Sequence, residues 1–393
     1  MVRSISGINH AKSYFVSTHC LWYNTAAFPL SPSGVIMTVW NDILANPSNL
    51  QSLLRKHLSG DQSILEDAAE LIYHSGRVVF TGIGSGMNAT IPACYYLVSR
   101  GFPAQYQDTT EAAYPLFPSL RGNAVVLNTR SGETAELVRL ALLARENHIP
   151  TVAVTNEPGS QVGRLANICI PTHSRWDTLV VISAYLGMAA TELLLAGKVA
   201  ELFTPGAFNH MADELQRAAE NMEEILNQVI AQRQELLTAV QDAPVLYLLA
   251  RGPSLASAIG GSLVIQETCR RHVFAMPTGL FRQGPIEVVD EHFYAIMFEG
   301  CGETASLNYR LAQELIEHQA KIIWVGGTHL QGALNVPMPD FSEYILPLFE
   351  ILPTQVLAHD LAIHDGITPG EVRYIQAVIT KEEGIQSSGQ TGE

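Results

Sequence analysis

The chain has few charged residues and an excess of acidic over basic ones. Only 16% of its 393 residues are charged, with 38 acidic against 23 basic residues, which gives a net charge of −15. Nucleic-acid binding needs a basic face, so we expect no nucleic-acid partner. Small anionic ligands are not excluded, because local dipoles and hydroxyl groups hold them whatever the net charge.

Cysteines and long apolar segments are also scarce. The five cysteines show no C-x-x-C spacing, so the sequence predicts neither a metal site nor a disulfide framework and fits a reducing cytoplasm. No apolar run reaches the roughly 18 residues that span a bilayer, so no membrane partner is expected. Residues 1–36 lack the features of a secretion signal and are interpreted as an uncertain N-terminal extension. We therefore expect a cytoplasmic protein.

Strand and helix patterns alternate after an initial helical segment. Residues 37–76 have apolar residues at helical spacing and predict N-terminal helices. Residues 77–200 contain short apolar runs separated by helical patterns, and a long apolar helix is predicted over 178–197. The runs are VVF (78–80), PAQYQD (103–108), AVVLN (124–128), TVAVT (151–155) and ICIP (168–171). Such alternation predicts a parallel sheet with helical crossovers.

The alternation recurs in the second half of the chain. Residues 201–242 predict a helical connector, 243–349 a second α/β domain, and 350–393 a C-terminal helix and tail. The apolar segments of this domain are PVLYLLA, YAIMF, KIIWV and YILPLF. Gly84 matches Gly252, Ser131 matches Cys301 and Val154 matches Val325, at offsets of 168, 170 and 171 residues. An ordered series of matches at nearly one offset predicts a duplicated domain.

The loop TRSGET (129–134) joins a predicted strand to an amphipathic helix. In an open α/β sheet, ligands bind at the carboxyl ends of the strands. A helix N-terminus there offers unpaired N–H groups and the positive end of a dipole. Thr129, Ser131 and Thr134 add hydroxyl donors and Arg130 adds a positive charge, so the loop is a candidate cradle for one phosphate group. Ordinary helix capping without any ligand is the alternative interpretation.

Two other loops limit what this arrangement can bind. The second copy has Glu299, Gly300 and Cys301 where the first has TRS, so only the first loop is expected to hold phosphate. The loop TGIGSGMNA (81–89) has G-x-G-x-G spacing instead of G-x-G-x-x-G. We therefore expect no nicotinamide and no other cofactor.

Taken in order, these motifs resemble paired sugar isomerase (SIS) domains. The motifs are GIGS (82–85), TRSGET (129–134), RGPS (251–254), Glu267 and FRQGP (281–285). The isomerase half of glucosamine-6-phosphate synthase is the most similar type, alongside sugar-phosphate isomerases, amino-sugar-phosphate deaminases and fructosamine-6-phosphate deglycases. The resemblance covers about residues 37–380. It implies an α/β fold of two tandem SIS domains, each a parallel five-stranded sheet in a three-layer, flavodoxin-like αβα sandwich, and a homodimer with sites at the subunit boundary.

The resemblance also implies roles for particular residues. Thr129, Ser131 and Thr134 match hydroxyl positions that hold the phosphate of a phosphorylated sugar or amino sugar, Ser85 matches a threonine of the first loop, and Arg130 stands where many members have glutamine. Glu267 matches the base that moves a proton between C1 and C2. A surface glutamate is the alternative interpretation.

Three departures from the family pattern leave the reaction open. A family histidine is replaced by Gln283, which can orient a hydroxyl or water but cannot transfer a proton at neutral pH. A second glutamate is replaced by Gly260, and the lysine that forms a Schiff base aligns with Ala377. Deaminases and deglycases do not need that lysine, because their substrates already carry an amine. We expect an aldose–ketose isomerase, an amino-sugar-phosphate deaminase or a fructosamine-6-phosphate deglycase that uses Glu267 and Gln283, or a non-catalytic sugar-phosphate sensor.

Overall fold

The computed structural model describes residues 38–375 and 378–382. The expected extension over residues 1–36, the position of Ala377 and the tail beyond residue 382 lie outside this part of the chain.

Three helices precede a five-stranded parallel sheet in the first half. The elements are α1 Val39–Leu44, α2 Asn46–Ser59, α3 Gln62–Ser75, β1 Val78–Gly82, α4 Ser85–Ser99, β2 Ala104–Asp108, α5 Thr109–Ala112, β3 Ala124–Thr129, α6 Ala135–Glu146, β4 Thr151–Thr155, α7 Gln161–Leu165, β5 Ile168–Pro171 and α8 Ser183–Glu201. The strand order is β2-β1-β3-β4-β5, and every strand pair is parallel. All five predicted strands of this half are confirmed.

The second half repeats this topology after two helices. The elements are α9 Ala207–Ala231, α10 Arg233–Val240, β6 Leu246–Ala250, α11 Leu255–Cys269, β7 Val273–Pro277, α12 Thr278–Phe281, β8 Tyr294–Phe298, α13 Ala305–Glu317, β9 Lys321–Gly326, β10 Leu334–Pro337 and α14 Pro347–His364. The order β10-β9-β8-β6-β7 is that of the first sheet read from the other side. Two parallel sheets flanked by helices confirm the predicted α/β class.

Two segments differ from their predicted form. YILPLF (344–349) lies in a turn and the start of α14, so the boundary drawn at residue 350 falls inside that helix. The apolar helix predicted over 178–197 begins at Ser183 instead. Asp177, just before it, accepts hydrogen bonds from the main-chain N–H groups of Ser183 and Ala184 at 2.9 and 2.8 Å, which fixes the helix start. All but the last residue of α8 are buried within the chain, so this helix provides no surface for a partner.

The largest core lies between the two sheets and contains α4, α8, α11 and α14. Glycines let these helices pack closely: a Cβ on Gly261 of α11 would lie 2.8 Å from the side chain of Thr354 and 3.0 Å from that of Leu248. Smaller cores cover the outer face of each sheet. Within the described residues, no helix combines the length and apolarity that a membrane crossing requires.

Candidate phosphate-binding site

The glycine loop after β1 and the hydroxyl loop after β3 lie side by side. Gly82 at the end of β1 is paired with Asn128 of β3. The Asn128 side chain donates to the carbonyl oxygen of Gly86 at 2.9 Å, and a Cβ on Gly86 would lie 2.8 Å from the Asn128 carbonyl oxygen. Only glycine permits this approach of the two backbones. In the order β2-β1-β3, the connections reverse direction between β1 and β3, where open α/β sheets form their ligand crevice.

The loop after β3 is held in one shape by its own side chains. Thr129 Oγ1 accepts the N–H of Gly132 at 3.1 Å, and Ser131 Oγ accepts the N–H of Glu133 at 3.3 Å. Gly132 has φ +67°, and a Cβ there would lie 1.8 Å from the hydroxyl oxygen of Ser160. Thr129 and Ser131 are only 4% and 8% exposed. The loop is therefore a fixed and largely buried structure.

Several hydrogen-bond donors of this loop have no partner within the described residues. They are the main-chain N–H groups of Ser131 and Thr134 and the hydroxyl protons of Thr129, Ser131 and Thr134, and the hydroxyl proton of Ser85 at the start of α4 is also without a partner there. Thr134 occupies the N-cap of α6, yet its side chain makes no capping hydrogen bond. Helix capping therefore does not account for these hydroxyl groups. An anion would satisfy such converging donors.

The C-terminal segment also reaches this helix start. The first N–H of α6, from Ala135, donates to the carbonyl oxygen of Ile379 at 3.0 Å. One donor of the helix N-terminus is thus already taken by the chain itself.

Arg130 brings a buried positive charge to the loop. Its side chain is 8% exposed, its Nη1 donates to the carbonyl oxygen of Thr178 at 3.2 Å, and its guanidinium lies 5.1 Å from the centre of the Trp176 ring. Burial raises the pKa of the neighbouring Asp177, and the N–H donors at the start of α8 and the Arg130 charge oppose this rise. The loop 172–178 therefore fixes Arg130 beside the phosphate cradle.

Helix α11 carries Glu267 from the second half to the same place. Gly84 of the first glycine loop faces Leu263 of α11, with a Cβ-to-Cδ2 separation of 3.3 Å if Gly84 carried a Cβ. Leu263 precedes Glu267 by four residues, so the two share a helix face. The carboxyl end of the first sheet thus meets the last turn of α11. Sequence reasoning paired these segments only through the family resemblance, because they are far apart in the chain.

The environment of Glu267 suits a proton carrier. Burial raises the pKa of its carboxyl group to about 7, and the Arg130 charge opposes the rise. The carboxylate makes no hydrogen bond with any residue in the described ranges. Near pH 7 it is populated in both protonation states, so it can take up a proton and release it again.

Gln283 lies away from this carboxylate. Helix α11 begins at the carboxyl end of β6 and returns toward the other edge of the second sheet, which places Glu267 about 18 Å along the helix from its start. Strand β7 then runs back, so Gln283, after α12, lies at the carboxyl edge with an exposed side chain. The two expected catalytic residues are therefore at opposite edges of the second sheet within one chain.

The loops at the carboxyl end of the second sheet, here called its mouth, correspond in position to the candidate phosphate site. This mouth is lined by carboxylates. Glu299 accepts the N–H of Thr328 at 2.8 Å, and a Cβ on Gly302 would lie 2.1 Å from Oε2 of Glu343. Glu350 is buried and accepts the hydroxyl protons of Ser254 and Ser257 at 2.9 and 3.0 Å. Burial raises its pKa to about 7, and these hydrogen bonds oppose the rise. Such a mouth disfavours an anionic ligand.

Comparisons with known proteins agree with this architecture. Residues 71–196 match the SIS domain. Glutamine–fructose-6-phosphate aminotransferase (isomerizing) of Thermococcus kodakarensis is 23% identical over 339 residues, which is 84% of this chain and 56% of the relative. The chain spans about half the length of the curated relatives that it matches.

Two solved structures share the whole fold. The C-terminal domain of glucosamine-fructose-6-phosphate aminotransferase from Francisella tularensis has a TM-score of 0.74 at 18% identity, with 86% of this chain and 98% of that chain covered. Tagatose-6-phosphate ketose/aldose isomerase from Escherichia coli also has a TM-score of 0.74 at 18% identity, with 89% and 97% covered. The chain therefore contains a SIS domain over residues 71–196, and its two repeated sheets share the fold of both solved structures.

Proposed function

We propose that the site after β1 and β3 binds a phosphorylated sugar or amino sugar and that Glu267 transfers a proton between C1 and C2. The observation that carries this proposal is the meeting of the donor-rich loop, Arg130 and a carboxyl group with a pKa of about 7. The reaction is that of an aldose–ketose isomerase, an amino-sugar-phosphate deaminase or a fructosamine-6-phosphate deglycase. The similarity to enzymes named as an isomerizing aminotransferase and a ketose/aldose isomerase supports this class.

The residues divide the work by chemistry. The hydroxyls of Ser85, Thr129, Ser131 and Thr134 and the free N–H groups of the loop donate to phosphate oxygens, and Arg130 offsets part of the negative charge. The Glu267 carboxylate removes the proton from the carbon next to the carbonyl or imine group, which leaves an enediol or enamine. The resulting carboxylic acid returns that proton to the adjacent carbon.

A pair of matched threonine variants tests phosphate binding. Thr134 and its counterpart Thr304 both occupy the N-cap of a helix without a side-chain capping bond. We expect Thr134→Ala to weaken binding of fructose 6-phosphate or glucosamine 6-phosphate about tenfold or more, because a hydrogen bond to a charged group contributes about 1.5–3 kcal/mol. Thr304→Ala should leave affinity unchanged in calorimetric titration. Equal effects of the two substitutions would contradict the assignment of the first loop.

If Gln283 acts in the reaction, it acts in the site of a second copy of the chain. Exposed apolar side chains lie on the edge strand β7 and in the segment that follows it, namely Phe274, Leu280 and Val288, each more than half exposed. We propose a homodimer that uses this edge, to be checked by sedimentation. Heterodimers of Glu267→Gln and Gln283→Ala chains would then contain one intact site each and recover activity. Recovery would not occur if both residues served one chain's own site.

A non-catalytic sugar-phosphate sensor is the second candidate. Position 283 carries an amide group, which cannot transfer a proton to the substrate at neutral pH, and this favours a binding role. Incubation with fructose, glucosamine and fructosamine 6-phosphates, followed by assays for isomerised sugar, ammonia and amine, separates the two. Binding without any product would support the sensor.

A further inference from the structure

Two histidines and an aspartate meet on the far side of α8 from α11. His57 lies in the last turn of α2, Asp61 precedes α3, and His173 follows β5. One ring nitrogen from each histidine and one Asp61 carboxylate oxygen all lie within 4.8 Å of one another. The two rings are 5.1 Å apart between centres. No metal site was expected from the cysteine spacing, because these ligands come from three separate elements and include no cysteine.

The hydrogen bonds of His57 fix which of its nitrogens carries the proton. Thr191 Oγ1 donates to the carbonyl oxygen of Gly187 at 2.8 Å, so it must accept from His57 Nε2, 3.1 Å away. His57 Nδ1 therefore presents a lone pair. This atom is fully buried and has no hydrogen-bond partner within the described part of the chain, although Asp61 Oδ2 lies 3.5 Å from it. An unsatisfied acceptor in a fully buried side chain requires an explanation.

The Asp61 carboxylate is turned toward the same point. Aspartate at an N-cap normally accepts a main-chain N–H of its own helix, but Asp61 makes no such bond with α3. Its Oδ2 instead contacts His173 Nε2 directly. The side chains of Asp61 and His173 are 19% and 23% exposed, which leaves a path from solvent to the buried His57 nitrogen.

We propose that His57 Nδ1, His173 Nε2 and a carboxylate oxygen of Asp61 bind a divalent transition-metal ion of the Zn²⁺ type, with a fourth position open to solvent. Two imidazoles and a carboxylate are a common ligand set for Zn²⁺, with metal–ligand distances of about 2.0–2.2 Å. Tetrahedral geometry at those distances separates ligand atoms by about 3.3 Å, close to the 3.5 Å between His57 Nδ1 and Asp61 Oδ2. His173 Nε2 and Asp61 Oδ2 are closer than this because they are directly hydrogen-bonded, so the ion would replace that hydrogen bond.

The ion would join elements that also support the phosphate loop. His173 begins the segment that continues to Trp176 and Thr178, which contact the Arg130 side chain. Binding would therefore stabilise the fold and restrain the segment that holds Arg130. The proposal concerns metal uptake and does not depend on the proposed reaction.

Metal titration of the chelator-treated full chain tests the site. We expect one equivalent of Zn²⁺ by calorimetry, a raised Tm, and the intense visible absorption of four-coordinate Co²⁺ when Co²⁺ replaces Zn²⁺. His173→Gln and Asp61→Asn, chosen because His57 is buried and its replacement could prevent folding, should each weaken uptake by more than about tenfold.

His210→Gln is the matched control. His210 also precedes an acidic residue by four positions, with Nδ1 4.0 Å from Glu214 Oε2, and it lies outside the cluster. Its substitution should leave uptake and the Co²⁺ spectrum unchanged. The proposal is overturned if the wild-type chain takes up no stoichiometric metal, or if both cluster variants bind as the wild type does. If the variants have a lower Tm but added metal changes nothing in the wild type, the three residues form an ion pair and not a metal site.

Discussion

Replacing Glu267 with glutamine should stabilise the protein, and the gain should depend on pH. Burial raises the pKa of this carboxyl group from 4.5 to about 7. Each pKa unit corresponds to about 1.4 kcal/mol, so keeping the ionised form in the folded state costs about 3 kcal/mol, reduced somewhat because the side chain is partly exposed. Below pH 4.5 the group is protonated in both states and the cost is absent. It grows between pH 4.5 and 7 and is complete above pH 7.

Urea unfolding of the wild type and Glu267→Gln at pH 4.5, 6 and 8 measures this difference. We expect a gain near zero at pH 4.5 that rises to about 2–3 kcal/mol at pH 8. Glu223→Gln, at an exposed position of α9, is the control and should change stability by no more than about 0.5 kcal/mol. A gain that does not vary with pH, or a loss at pH 8, would refute the burial argument. Under the proposed function the same variant loses turnover, so stability and activity change in opposite directions.

Two further predictions concern other positions. Gly132→Ala should lower stability by about 2–4 kcal/mol and abolish sugar-phosphate binding, because alanine at φ +67° is strained and its Cβ would overlap the Ser160 hydroxyl. Thermal unfolding measures the loss of stability, and the control Gly159→Ala should show no comparable loss, because the space beside Gly159 is open. Glu192 is fully buried and has no hydrogen-bond partner among the residues that the structure describes, and burial raises its pKa well above 4.5. Ionisation of Glu192 should therefore contribute a fall in wild-type stability of about 1.4 kcal/mol per pH unit above pH 4.5, and Glu192→Gln should remove that share of the slope in urea unfolding; an unchanged slope would contradict it.

The sequence predicted the first sheet well because its strands carry strong signals. VVF, AVVLN and TVAVT are buried runs bounded by turn residues, and buried parallel strands have this pattern. In the second sheet, β7 and β10 were missed. Strand β7, VFAMP, is an edge strand with an exposed Phe274, and β10, LNVP, has only four residues, two of them asparagine and proline. Edge strands lack the continuous apolar pattern that identifies a buried strand.

The site was predictable only in part. The loop 129–134 and Glu267 could be named from their motifs, and their contact arises from the packing of α4 against α11. Small residues on both helices allow that packing. No local sequence pattern, however, predicts which helices will pack against each other. Gln283 and Glu267 lie far apart within one chain because of the direction in which α11 runs. The sequence motifs do not specify that direction. The cluster of His57, Asp61 and His173 likewise depends on three elements far apart in sequence.

Because the carboxyl end of the first sheet meets the last turn of α11, the two halves contribute different parts of one site. Under the proposed function, the first copy supplies the cradle and the second supplies the helix that ends at Glu267, so neither copy alone is a complete enzyme. The mouth of the second sheet therefore does not have to bind a ligand. There, the Glu343 carboxylate lies beside Gly302, so an acidic side chain of the chain itself occupies the space next to the second loop.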